Sequence, residues 1–249
     1  MSSAGAVLCY WSLLLALLVS EHPTTADGDK GPKPCSSPNH VCTTLMRYPD
    51  GYTADEGPNC FCGETTACSS EWEENSDNTL TWQHYERGHW RVQYKFCKPV
   101  FAEMRQCEPD ERAVTINTEV KTWKPYIDQA RCRCPHSTGT STLYQLSGWK
   151  REGAQWKYHY NCHKVECKYY PLGTELNKRG SECAKVYIDQ YKTSDKVQEV
   201  IFLCACPEGQ MCPARLRKDN KDEVDLKEDD HGIFVMKYCE SNHQTENNK

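Results

Sequence analysis

Cysteine dominates the chemistry open to this chain, with 17 in 249 residues. A thiol can ligate a metal, act as a nucleophile or oxidise to a disulfide, and spacing separates these fates. The close pairs are Cys60/Cys62, Cys132/Cys134 and Cys204/Cys206, each of the form Cys-x-Cys. No Cys-x-x-Cys occurs, so the spacing of zinc ribbons and of redox-active dithiols is missing. The reading is no metal and no cofactor. Leu13 to Val19 is an apolar run behind a Met start. It is shorter than the ~20 residues a membrane span needs and fits the hydrophobic region of a secretory signal peptide. The expected signal is residues 1–20, with cleavage as late as residue 26 as the alternative. Cys9 then leaves with the signal, and 16 cysteines remain, an even number for an oxidising compartment. Eight disulfides is the economical reading.

The other chemistry-bearing residues form no recognised constellation. His-Glu-x-x-His, Gly-x-Ser-x-Gly and a Gly-rich phosphate loop are all missing. No catalytic residue is nominated, and the expectation is a protein that is not an enzyme. The net charge is −5 and the pI about 6.0, which argues against a nucleic-acid partner. No second long apolar run follows the first, so no membrane span is expected. No Asn-x-Ser/Thr sequon occurs either.

The cysteines repeat. Each Cys-x-Cys has an opener before it (Cys35, Cys107, Cys167) and a closer after it (Cys97, Cys162, Cys239). This divides the chain into three intervals, 35–97, 107–162 and 167–239, joined by short segments. The outer intervals carry one further pair each, Cys42 with Cys68 and Cys183 with Cys212; the middle one has neither. Cysteines that come and go together are best read as bonded, so Cys42–Cys68 and Cys183–Cys212 are predicted disulfides. Neighbours in Cys-x-Cys point to one side of a strand and do not bond each other. One of Cys60 and Cys62 therefore bonds Cys35 and the other bonds Cys97. The same choice holds for Cys132 and Cys134 with Cys107 and Cys162, and for Cys204 and Cys206 with Cys167 and Cys239.

The elements that position these sulfurs read as strands. In residues 90–97, 156–162 and 234–239 apolar and polar side chains largely alternate up to the closer. Residues 113–120, 184–191 and 199–204 have strand composition. No long apolar stripe recurs at helical spacing, and the mean hydropathy of −0.80 leaves little material for one large core. The expected fold is all-β and disulfide-rich, with three small tandem modules built on the Cys…Cys-x-Cys…Cys core, each a three-stranded sheet. Residues 21–34 are expected to be a flexible N-terminal segment and 240–249 a disordered tail.

Polar loops are expected after each pair, over 71–88, 135–155 and 214–232. The last is basic at Arg215, Arg217 and Lys218 and acidic from Asp219 to Asp230. Trp72, Trp82, Trp123 and Trp149 are candidates for contact with a partner, since tryptophan is over-represented at binding hot spots. Trp90 and Trp156, inside strand patterns, are read as core.

The order of these cysteines resembles the giant-lens (Argos) family of secreted insect growth-factor antagonists. The stretches carrying the resemblance are 94–100, 131–135 and 203–213, with Tyr238-Cys239 near the end. The layout is also similar to the large scoloptoxins, venom proteins of centipedes with eight disulfides. The giant-lens resemblance implies three β domains that clamp an EGF-like ligand and keep it from its receptor. The scoloptoxin resemblance implies a toxin acting on an ion channel or receptor. Either way the expected partner is an extracellular protein.

Overall fold

The computed structural model describes residues 32–64, 66–74, 76–84, 90–108, 111–135, 143–162, 165–168, 181–188, 197–207, 209–214, 216 and 226–241. These residues belong to one compact unit, Pro32–Lys249. The expected signal peptide lies outside them. So do the expected flexible segment and tail, except at their inner ends. There Pro34 forms a bridge to Phe61, and a short strand runs over Glu240–Ser241.

Every regular element among the described residues is a strand. The interval 35–97 contains β1 (Val41–Arg47), β2 (Thr53–Pro58), β3 (Thr79–His84) and β4 (Trp90–Phe96). The interval 107–162 contains β5 (Arg112–Glu119), β6 (Pro125–Ala130), β7 (Tyr144–Glu152) and β8 (Gln155–Asn161). The interval 167–239 contains β9 (Glu182–Ile188), β10 (Val197–Phe202), β11 (Gln210–Met211), β12 (Leu226–Asp229) and β13 (Gly232–Tyr238). A final strand, β14 (Glu240–Ser241), pairs only with β11.

Each interval builds the same four-stranded antiparallel sheet: β3-β4-β1-β2, then β7-β8-β5-β6, then β12-β13-β9-β10. The expected count of three strands is corrected to four. The additional strand in each (β3, β7, β12) lies inside a segment read as a polar loop. The reason is visible in β3, Thr-Leu-Thr-Trp-Gln-His. Its threonines face a polar side that the chain itself covers, so they are buried without being apolar.

The three sheets are stitched into one. β7 is the common edge: its start runs parallel to β3, through Trp82↔Tyr144 and Gln83↔Gln145. Further along, it runs antiparallel to β10, through Glu199↔Lys150, Val200↔Trp149 and Ile201↔Gly148. A Cβ on Gly148 would lie 2.5 Å from the Val200 carbonyl oxygen, so this joint requires glycine. Burial follows the stitching. One core takes Val41, Leu80, Trp82, Val92 and Phe96 from the first interval and Val114, Ile116, Leu146 and Tyr160 from the second. Phe101, in the connecting segment, is also buried there, against Phe96 and Tyr144. The third interval has its own smaller core around Val186, Val200, Ala214 and the Cys183–Cys212 bond. Trp149 and Phe202 touch both.

Candidate functional site

The sulfurs come first, because they set what the surface can present. The structure bonds Cys35–Cys60, Cys107–Cys132 and Cys167–Cys204, each with Cα atoms 4.9 Å apart. It bonds Cys62–Cys97, Cys134–Cys162 and Cys206–Cys239. The outer intervals add Cys42–Cys68 and Cys183–Cys212. So the first cysteine of each pair goes to the opener and the second to the closer, a choice the sequence leaves open.

The backbone explains that choice. The residue between the paired cysteines forms a parallel bridge with the residue before the opener: Pro34↔Phe61, Gln106↔Arg133 and Glu166↔Ala205. The opener's N–H donates to that middle residue's carbonyl, at 2.9 Å in all three intervals. The middle residue's N–H donates back to the chain two residues before the opener, at 3.1, 2.9 and 2.8 Å. This pair of bonds lays the opener beside the first cysteine of the pair. The second, two residues further along the same side of the strand, is left for the closer.

Trios of sulfurs lie close together, such as Cys107, Cys134 and Cys162. Each is already half of a disulfide and offers no thiolate to a metal. Two of the described histidines, His159 and His40, are equally committed. His159 is buried beside Thr115 Oγ1, with Nδ1 at 3.3 Å. Burial, then the charges of Arg112, Lys150 and Lys157, push its pKa down to about 4. His40 stacks on Tyr126, and its ring nitrogens face the hydroxyls of Ser37 and Ser36 at 3.1 and 3.3 Å. These serines lie in the same turn, and a hydroxyl on each side leaves no carboxylate to orient the ring.

Two polar assemblies lie on the sheet. In the first interval Lys95, 1% exposed, donates to Glu73 Oε2 at 3.1 Å and to Thr79 Oγ1 at 3.3 Å. Gln93 donates to the Glu73 carbonyl and to Thr81, and accepts the Glu73 N–H. Lys95 is displaced downward by burial, which Glu73 only partly offsets. Burial raises Glu73, but bonds from Lys95 and Ser69 outweigh it and hold the carboxyl low. These contacts fasten the acidic segment carrying Glu71, Glu73 and Glu74 over the polar face of β1, β3 and β4. In the third interval Asp229 accepts from Lys185 at 2.6 Å and from Tyr187 Oη at 2.9 Å, which holds it at about 2.

The tryptophans divide sharply. Trp82 is core, edge-on to Tyr160. Trp149 packs between the two cores, 5.0 Å from Trp156, over which Arg151 lies. Trp90 sits edge-on to Tyr48, and Trp72 lies beneath the Arg47 guanidinium. Trp123 alone of the four contact candidates is open to solvent, at 58%. The charged segment from Arg217 to Asp225, and Arg215, lie outside the described residues; 226–229 form β12 instead of loop. Sequence reading passed over Tyr52, exposed at 65% in the β1–β2 turn. Its position between Gly51 and a strand was the available signal.

The chain is similar to curated centipede proteins. It is 28% identical over 207 residues to U-scoloptoxin(11)-Ssd2a of Scolopendra dehaani, covering 79% of this chain and 78% of that one. The same figures hold for U-scoloptoxin(11)-Sa3a of Scolopendra alternans. U-scoloptoxin(11)-Sm7a of Scolopendra morsitans is 24% identical over 195 residues, 77% of this chain and 75% of that one. Among solved structures, unliganded Argos is similar with a TM-score of 0.39 and 21% identity, over 84% of this chain and 92% of that one. No family profile matches the chain.

Proposed function

We propose that this is a secreted, non-enzymatic toxin-like protein that binds and blocks an extracellular protein target. The observation that carries the reading is the similarity to proteins named as scoloptoxins, which extends over most of the chain. A rigid, disulfide-bonded sheet with preset turns suits binding, because little conformational entropy is lost on association. Three kinds of group that could support catalysis are engaged elsewhere among the described residues: the cysteines in disulfides, His40 in a stacked turn and His159 in a buried site. The signal peptide read from Leu13 to Val19 delivers the chain to an oxidising compartment, where eight disulfides persist.

A second reading is sequestration of an EGF-like ligand, and it rests on the cysteine order described above. One experiment separates the two. The purified, oxidised chain is applied to voltage-clamped insect neurons and, in parallel, passed over an immobilised EGF-like domain. The toxin reading expects a saturable, reversible change in membrane current and no response from the domain. Saturable capture by the domain with unchanged currents replaces it with sequestration. An effect that grows with time at fixed dose and persists after washout points to turnover and overturns the non-enzymatic reading.

A further inference from the structure

The two most exposed aromatic side chains among the described large hydrophobics are Tyr52 and Trp123, at 65% and 58%. They occupy the same place in the repeat. Tyr52 is in the turn of β1–β2, the first hairpin of its interval; Trp123 is in the turn of β5–β6, the first hairpin of the next. The corresponding turn of the third interval, residues 189–196, contains Tyr191 and lies outside the described residues.

Both turns are built to hold the backbone that carries the ring. Trp123 has φ of 56°, and it is the one non-glycine residue in the left-handed region among those described. A bulky side chain is disfavoured there, so the surroundings must impose it. Trp123 N–H donates to Glu119 O at 2.9 Å, and Lys124 N–H donates to Thr122 Oγ1. The turn is anchored on both sides: Val120 N–H reaches Ala154 O at 2.9 Å, and Lys124 Nζ reaches Asn59 O at 2.6 Å. The Tyr52 turn is closed by Tyr48 N–H to Tyr52 O and by Tyr52 N–H to Asp50 Oδ1, at 2.9 and 3.0 Å. A strained backbone that keeps an indole in water makes no sense as packing. It does as preorganisation, where a turn backbone already fixed loses little freedom on binding.

We propose that the Trp123 turn is the principal docking anchor of the protein, with the Tyr52 turn as its counterpart in the first interval. The partner is a protein surface with an apolar pocket for the indole and a carboxylate rim. The rim follows from charge: Lys121 and Lys124, both exposed, flank Trp123 in sequence. This rests on the reading above that the target is a protein.

The test uses the oxidised full chain, its Trp123→Gly, Trp123→Phe and Tyr52→Ser variants, and two probes: insect nerve-cord membranes and an immobilised EGF-like domain. Glycine accepts the turn's φ without strain, so Trp123→Gly is expected to leave the thermal midpoint unchanged or raised. The same variant is expected to lose at least about tenfold in affinity for whichever probe the wild type binds, with Trp123→Phe losing less. Tyr52→Ser is expected to weaken binding more mildly, and added salt to weaken the wild type. Saturable binding unchanged in Trp123→Gly overturns the anchor alone. A fall in its thermal midpoint that accounts for the lost binding makes Trp123 structural and overturns it too. Trp123-dependent binding to protein-free vesicles of phosphatidylcholine and phosphatidylserine replaces the protein pocket with a lipid surface. Binding of the wild type to neither probe overturns the protein-binding reading and the anchor together.

Discussion

His159 shows what this chain asks of a titratable group it buries. It lies on the polar face of the second sheet, among Arg112 of β5, Lys150 of β7 and Lys157 of β8. Its folded pKa, about 4, is below the ordinary value of 6.5. The neutral form is therefore the one that folds. Its contribution is full above pH 6.5 and is lost as pH falls towards 4, because the unfolded chain takes up the proton first. The loss amounts to about 3 kcal/mol across that window. Urea midpoints at pH 7.5 and 4.5 should separate less in His159→Gln than in the wild type; equal separation removes His159 as the cause. Lys95 and Glu73 make a second asymmetric case. Lys95→Met leaves Glu73 free to turn to water and is expected to stay within about 1 kcal/mol of wild type. Glu73→Leu strands a buried ammonium and is expected to cost about 2 kcal/mol. Chemical denaturation that ranks them the other way means the pair holds the acidic segment by something other than charge.

At the scale of elements, the sequence carried the all-β class well. Strands ending at each closer are visible because their residues largely alternate in polarity, as in Trp90 to Phe96. Burial does not follow: Gln93 and Lys95 are as buried as Val92 and Phe96, because the acidic segment covers the polar face. The strands β3, β7 and β12 were hidden. In β3 and β7 buried polar residues (Thr79, Thr81, Gln145) face the chain's own polar groups, and β12, Leu-Lys-Glu-Asp, is charged and part-exposed; both patterns read as loop. The choice between cysteines of a pair was equally illegible, because it depends on the parallel bridge beside the opener. The joint between β7 and β10 left one faint trace, a glycine within an otherwise regular strand pattern. Gly148→Ala would push a methyl to 2.5 Å from the Val200 carbonyl, where backbone cannot yield cheaply. The substitution is expected to cost about 2 kcal/mol. It is also expected to speed hydrogen exchange of the β7 and β10 amides that bridge the joint. Protection there equal to wild type shows that the two strands have absorbed the methyl by shifting.

For the whole molecule, the cysteine repeat and the cores divide the chain differently. The repeat gives three intervals with the same strand order. Burial gives two larger cores, one shared by the first and second intervals and one belonging to the third, and a small all-cysteine cluster around Cys42, Cys60 and Cys97 inside the first interval. Disulfides stay within intervals, so none of them couples the two cores covalently. Among the described residues the coupling runs through the β7–β10 pairing and through Trp149 and Phe202. Cys183–Cys212 spans 29 residues and lies at the centre of the smaller core, so Cys183→Ala with Cys212→Ala should cost about 3 kcal/mol, all within the third interval. Calorimetry of that variant is expected to show two transitions, the earlier one belonging to residues 167–239. The matching variant Cys42→Ala with Cys68→Ala, at a separation of 26, removes a bond of the small cysteine cluster of the first interval. It should lower the melting of the first two intervals together, because the strands of the first interval share their core with the second. Hydrogen exchange assigns each transition to its strands. If both variants melt in a single step, the stitched sheet binds the cores into one cooperative unit, and Trp149 is the first residue in which to look for that strength.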